Sequence, residues 1–198
     1  MKHLELPEIA RLFSVDPETC RHLAESCPAC GERLRQVEAL MKRFQHWDPE
    51  VAVLEGLPAE GLFATIMAAG QSWESWSSQV DEKVELQTWG VAWVALEQAR
   101  EPMTEEVSRL RARDLALLAA RIAETLGTTY HLDAVTDLKA RAYATAAAAE
   151  APDVAVSSRL HRMATALAAL EKGSGEEAVA QDVWSFLLRV IKDEGANL

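Results

Sequence analysis

Apolar residues recur at three- and four-residue steps almost from end to end of this chain, and no stretch alternates as a half-buried strand does. That spacing points to a succession of amphipathic helices. Helix-start chemistry repeats to match. Asp16-Pro17-Glu18 and Asp48-Pro49-Glu50 each supply an N-cap acceptor, a proline at the first helical position and an acid in the first turn. Ser174-Gly175-Glu176-Glu177 has the form of a capping box, and Thr104-Glu105-Glu106 follows Pro102 to start another helix. Stops fall at Gly127, Pro152 and Gly173. The pattern predicts an all-α chain with helices over 4–13, 17–26, 30–46, 58–70, 81–99, 104–126, 132–150, 153–172 and 176–194. The stretch 47–80 is the least regular, with glycines around Pro58, then Gly70 and serines beside Trp73 and Trp76. It reads as a linker or hinge between a module over 1–46 and a helical array over 81–198.

One motif stands apart from this helical background. In HLAESCPAC, residues 22–30, three of the chain's five histidines and three cysteines fall within nine residues. Thiolate and imidazole are the usual zinc ligands, and structural sites gather four of them in a tetrahedron. Pro28 favours a tight turn between Cys27 and Cys30, and the second cysteine then opens the next helix, where the dipole helps hold a thiolate. His22, in the last turns of the preceding helix, supplies a third ligand. For the fourth, His3 and Cys20 compete. Cys20 lies two residues from His22 on one helix, so the two side chains point roughly 200° apart, which favours His3. The expectation is one structural zinc on His3, His22, Cys27 and Cys30. Against it stands the reading of Cys27 and Cys30 as small buried residues, or as a disulfide, with His22 at the surface.

Charge narrows the partners. Thirty-one acids against 20 bases give a net charge of −11, which repels phosphate backbones. The basic residues in GERLRQVEALMKRF are interleaved with glutamates, as on a solvated helix face. A basic protein is therefore the expected partner, with no nucleic acid and no membrane. An odd cysteine count with a CxxC fits a reducing compartment. The opening MKHLELPEIARLF carries acids where a secretory signal is apolar, and no apolar run approaches the ~20 residues that cross a bilayer. A cytoplasmic location follows as an expectation. HExxH, GxSxG and phosphate-binding glycine loops are absent from the sequence, so no enzyme is expected. Trp89 and Trp93, with Leu86 and Leu96, stripe one helix face as core. Trp73 and Trp76, in the irregular stretch, are the better candidates for exposed partner-binding anchors.

RHLAESCPACGERL resembles the zinc knuckle of zinc-binding anti-sigma domains, whose hallmark is a histidine, a short spacer and CxxC, with a further ligand about one helix upstream, where His3 stands. The spacer here is one residue longer than the commonest form. The longer form resembles a subgroup of large bacterial proteins in which the same knuckle precedes helical repeats. RDLALLAARIAETLGTTYHLDAVTDLKARAYATAAAAEAPDVAVSSRLHRMATAL is similar to their tetratricopeptide-like region, although the repeat signature is eroded and the period irregular. The resemblance covers residues 3–45 and about 104–171. It implies a zinc-containing anti-sigma-like regulator that grips a sigma-factor-type partner through residues 1–80. The alternative is a helical-repeat adaptor with a structural zinc and no sigma-factor partner.

Overall fold

In the computed structural model, which describes residues 3–46, 48–100, 106–127, 130–150 and 156–195, the chain is all-α, with no strand among those residues. It divides into two compact units, Met1–Gly61 and Leu62–Leu198. The division falls inside the stretch read as a linker.

In the first unit, α1 (Leu6–Val15), α2 (Pro17–Ser26) and α3 (Pro28–Phe44) pack pairwise. Each carries a proline in its first turn, where the missing N–H costs nothing. The Asp16 carboxylate caps α2 by accepting the Thr19 amide at 3.0 Å. α2 and α3 meet at Cys27, which is extended, ends one helix and begins the next. Tight packing there depends on Gly31. A Cβ at that position would lie 2.9 Å from the Ala24 carbonyl oxygen, so a side chain would push α2 and α3 apart. The small core is Ile9, Ala10, Cys20, Cys27, Cys30, Leu34, Val37 and Val53.

α4 spans Pro49–Ala68, begun by Asp48, whose carboxylate accepts the Glu50 amide at 2.8 Å. The stretch 47–80 is therefore mostly helical rather than irregular. Pro58 lies inside α4 at an exposed position, and Leu54, four residues back, whose carbonyl loses that helical donor, is an exposed residue too. Against the expectation that no apolar run approaches bilayer-spanning length, α4 is long and apolar enough to cross a membrane by length and composition, with a mean hydropathy of 1.5.

The second unit holds α5 (Trp73–Glu82), a short 3-10 turn (Val84–Leu86), α6 (Trp89–Ala99), α7 (Glu106–Thr125), α8 (Leu132–Ala149), α9 (Val156–Lys172) and α10 (Glu177–Gly195). The single helix expected over 81–99 is two helices and a turn, because Thr88 caps α6 by accepting the Val91 amide at 3.3 Å. α10 begins without the expected capping box: the Ser174 hydroxyl accepts the Glu176 amide at 3.2 Å, one residue ahead of the helix. The expected start at Thr104 and stop at Pro152 lie outside the described residues. Successive helices from α6 to α9 pack side by side as a helical array. α8 is the hub, touching α6, α7, α9 and α10, since its buried Ala140, Ala142, Ala144, Ala146, Ala147 and Ala149 let neighbours approach closely. Trp89 and Trp93 are buried, as the stripe predicts. Charge is buried here too. Arg100 and Arg141 converge on the Asp182 carboxylate at 2.8 and 3.1 Å, and the Arg141 guanidinium stacks over Trp93 at 5.4 Å.

Candidate metal centre

The centre is assembled at the α2–α3 junction and closed by the segment before α1. Cys27 sits at the N-cap of α3 and its sulfur accepts the Cys30 amide at 3.4 Å. Cys30 stands in the first turn of the same helix, so both sulfurs face the amide end of α3. Residues 3–5 are then fastened across α3. Arg33 donates to the Leu4 carbonyl and pairs with Glu5 at 3.3 Å, while Glu8 accepts the Glu5 amide at 2.7 Å. This clamp brings His3 Nδ1 to 3.3 Å from Cys27 Sγ. The ligand atoms of His3, Cys27 and Cys30 all lie within 4.8 Å of one another, the two cysteines buried and the histidine exposed.

Electrostatics favours a thiolate here. Hydrogen bonds from the Cys30 side chain and amide, joined by His3, lower the Cys27 thiol to about 7. Cys30, whose side chain donates to Cys27, is pushed up. Cys20 is raised chiefly by burial, with the nearby Cys30 adding to the effect.

The donor set fits a metal ion. Two thiols and an imidazole are soft and borderline ligands, and donors sharing one tetrahedral ion at ~2.0–2.3 Å sit about 3.5–3.8 Å apart. His3, Cys27 and Cys30 lie close enough to bind one ion with small side-chain adjustments.

His22 and Cys20 are placed elsewhere. The His22 side chain is 91% exposed, with Nδ1 3.5 Å from the Glu25 carboxylate. Cys20 is fully buried, and its thiol points at the Ile9 carbonyl at 3.8 Å. The ~200° separation of Cys20 from His22, which favoured His3 over Cys20 with His22 as a ligand, holds, but the side chain of the pair that looks inward is that of Cys20. Cys20 is buried on the inner face of α2 in the same core as Cys27 and Cys30, whereas His22 looks outward. The apolar pattern carried that signal, since Leu23 and Ala24 pack against the same core as Cys20. What the motif missed altogether is Arg33, the clamp that positions His3.

Comparison with family models, with curated proteins and with solved structures finds no match to this chain. Of the two tryptophans expected as exposed anchors, Trp76 is buried, its indole N–H donating to the Gly70 carbonyl at 2.8 Å. Trp73 is half-buried at the start of α5.

Proposed function

We propose that this chain is a zinc-containing, anti-sigma-like regulatory protein of the cytoplasm that binds and sequesters a basic protein partner such as a sigma factor. The observation that carries the proposal is the convergence of His3, Cys27 and Cys30. Zinc there ties the segment before α1 to the α2–α3 junction, and so organises a small helical module whose own core is slight. The net charge of −11 suits a surface that masks a basic protein. The ion pairs of Glu50 with Arg11 at 2.9 Å and of Glu60 with Arg43 at 2.7 Å support α4 as a helix working in water.

A specific feature favours a second reading, that of a helical-repeat adaptor. α10 exposes Trp184, Leu188 and Ile191 at four- and three-residue spacing, each about half accessible, an apolar stripe of the kind that anchors a protein partner. The two readings separate in one experiment. The full-length protein and its Cys27→Ser/Cys30→Ser variant are purified from the native host, and co-eluting proteins are identified by mass spectrometry. Recovery of a sigma factor or other transcription protein with the parent and its loss with the variant supports the regulator. A stable partner retained by the variant, with no transcription protein present, replaces it with the adaptor.

A further inference from the structure

The zinc reading leaves one question that the geometry answers: what fills the fourth position. Other candidate donors among the described residues, Cys20, His22, Glu5 and Glu8, have contacts of their own. Cys20 is not among the residues whose ligand atoms lie within 4.8 Å of one another, and its thiol is held against the Ile9 carbonyl at 3.8 Å inside the core. His22 faces outward and sits beside Glu25. The Glu5 carboxylate pairs with Arg33, and the Glu8 carboxylate accepts the Glu5 amide. Bringing in Cys20, Glu5 or Glu8 would break a contact that itself positions His3 or closes the core, and His22 would have to leave the outer face of α2. The cluster is also asymmetric in burial. Its sulfur side is shut by α2 and α3, and its imidazole side, at exposed His3, meets solvent.

We infer that His3, Cys27 and Cys30 hold the ion through three side chains and leave its fourth position, on the solvent side, to an exchangeable monodentate nitrogen or sulfur ligand. This rests on the metal reading and departs from the closed four-ligand site that the sequence motif suggests. Three protein ligands and an exchangeable fourth are the arrangement of zinc sites that bind small molecules, whereas purely structural sites close all four positions.

Cobalt(II) reports the difference, because the intensity of its thiolate charge-transfer band follows the number of sulfur ligands. The full-length protein is loaded with one equivalent of cobalt and titrated with β-mercaptoethanol, then separately with imidazole. Going from two thiolates to three predicts a saturable rise of about 1.5-fold in charge-transfer intensity with the thiol. Imidazole should shift the visible bands and leave that intensity unchanged, and cobalt should stay bound in both titrations. Cys20→Ala and His22→Ala should each keep metal affinity within about threefold of the parent, whereas loss of a ligand costs far more. Spectra that ignore both additives, or an affinity loss of ~10-fold or more in Cys20→Ala or His22→Ala, overturn the open position while the metal site stands. Failure of the parent protein to bind cobalt overturns both.

Discussion

Met1–Gly61 and Leu62–Leu198 close their cores with different chemistry. In the first unit, two cysteines of the CxxC and a third thiol occupy a core whose apolar members are Ile9, Ala10, Leu34, Val37 and Val53. Chains of ~60 residues bury too little surface to be more than marginally stable, and a metal cross-link is one of the few ways to supplement such a core. In the second unit the alanines of α8 let α6, α7, α9 and α10 pack around it, and the buried Arg141 and Arg159 pair with the partly exposed Asp182 and Asp193. The contrast teaches where each unit is vulnerable. The first should fail with its ligands, the second with its packing.

The comparison can be broken from the second unit first. Phe186, buried where α10 meets α8 and flanked by Arg100 and Arg189, should cost about 3–5 kcal/mol when replaced by alanine. Denaturant unfolding would read this, and metal content should not change. A loss of bound metal in Phe186→Ala would mean that the units do not fail independently. Next is Asp182→Ala, which leaves Arg100 and Arg141 without their shared carboxylate; about 3 kcal/mol is expected, at the low end for a buried pair because Asp182 keeps some solvent contact. A change below ~1 kcal/mol would show that water reaches Arg141 and that the buried charge carries little weight.

Gly173→Ala tests the same unit more finely. Its Cβ would fall 1.9 Å from Asp137 Oδ1, which is buried and accepts the Ser174 amide at 3.1 Å. About 1–3 kcal/mol of overpacking is expected. In an Asp137→Ala background the same substitution should cost under ~0.5 kcal/mol, a coupling that a double-mutant cycle measures directly.

The smallest effect is a pH dependence. At the start of α5 the Glu74 carboxylate is held below its ordinary value of 4.5 by its own backbone amide and by Ser72. A depressed acid contributes stability that is present above the unfolded value and lost as pH falls through the folded one. The difference in melting temperature between the parent and Glu74→Gln should therefore be present at about pH 6 and vanish toward about pH 3. A difference that grows on acidification would reverse the sign and remove the account of that cap.

Much of this was legible from residues alone, for identifiable reasons. The caps at Asp16 and Asp48 are local chemistry, and they start α2 and α4 where the Asp-Pro-Glu patterns put them. The alanines of α8 announced close packing. Failures came where tertiary structure decides between local options. Pro58 reads as a helix start until α4 is seen to run through it at an exposed position, and Thr88 acts as a cap where the chain has turned after Glu82, with the Gln87 side chain bonding the Val80 carbonyl at 2.8 Å. At the candidate centre the CxxC and His3 were legible from ligand chemistry. The outward direction of His22, expected as a ligand, was not, because the motif gives spacing, whereas the apolar face of α2 gives direction, and only the second says which side chain looks inward.

On the proposed reading a metal ion, rather than apolar packing alone, holds the first unit. The decisive measurement is to purify the protein without added metal, determine its metal content by elemental analysis, and record amide hydrogen exchange before and after chelation. One zinc per chain is expected, with exchange after chelation rising sharply over residues 3–46 and unchanged across α7, α8 and α10. A metal content near zero in protein whose residues 3–46 are already well protected, and whose protection ignores the chelator, would contradict the account.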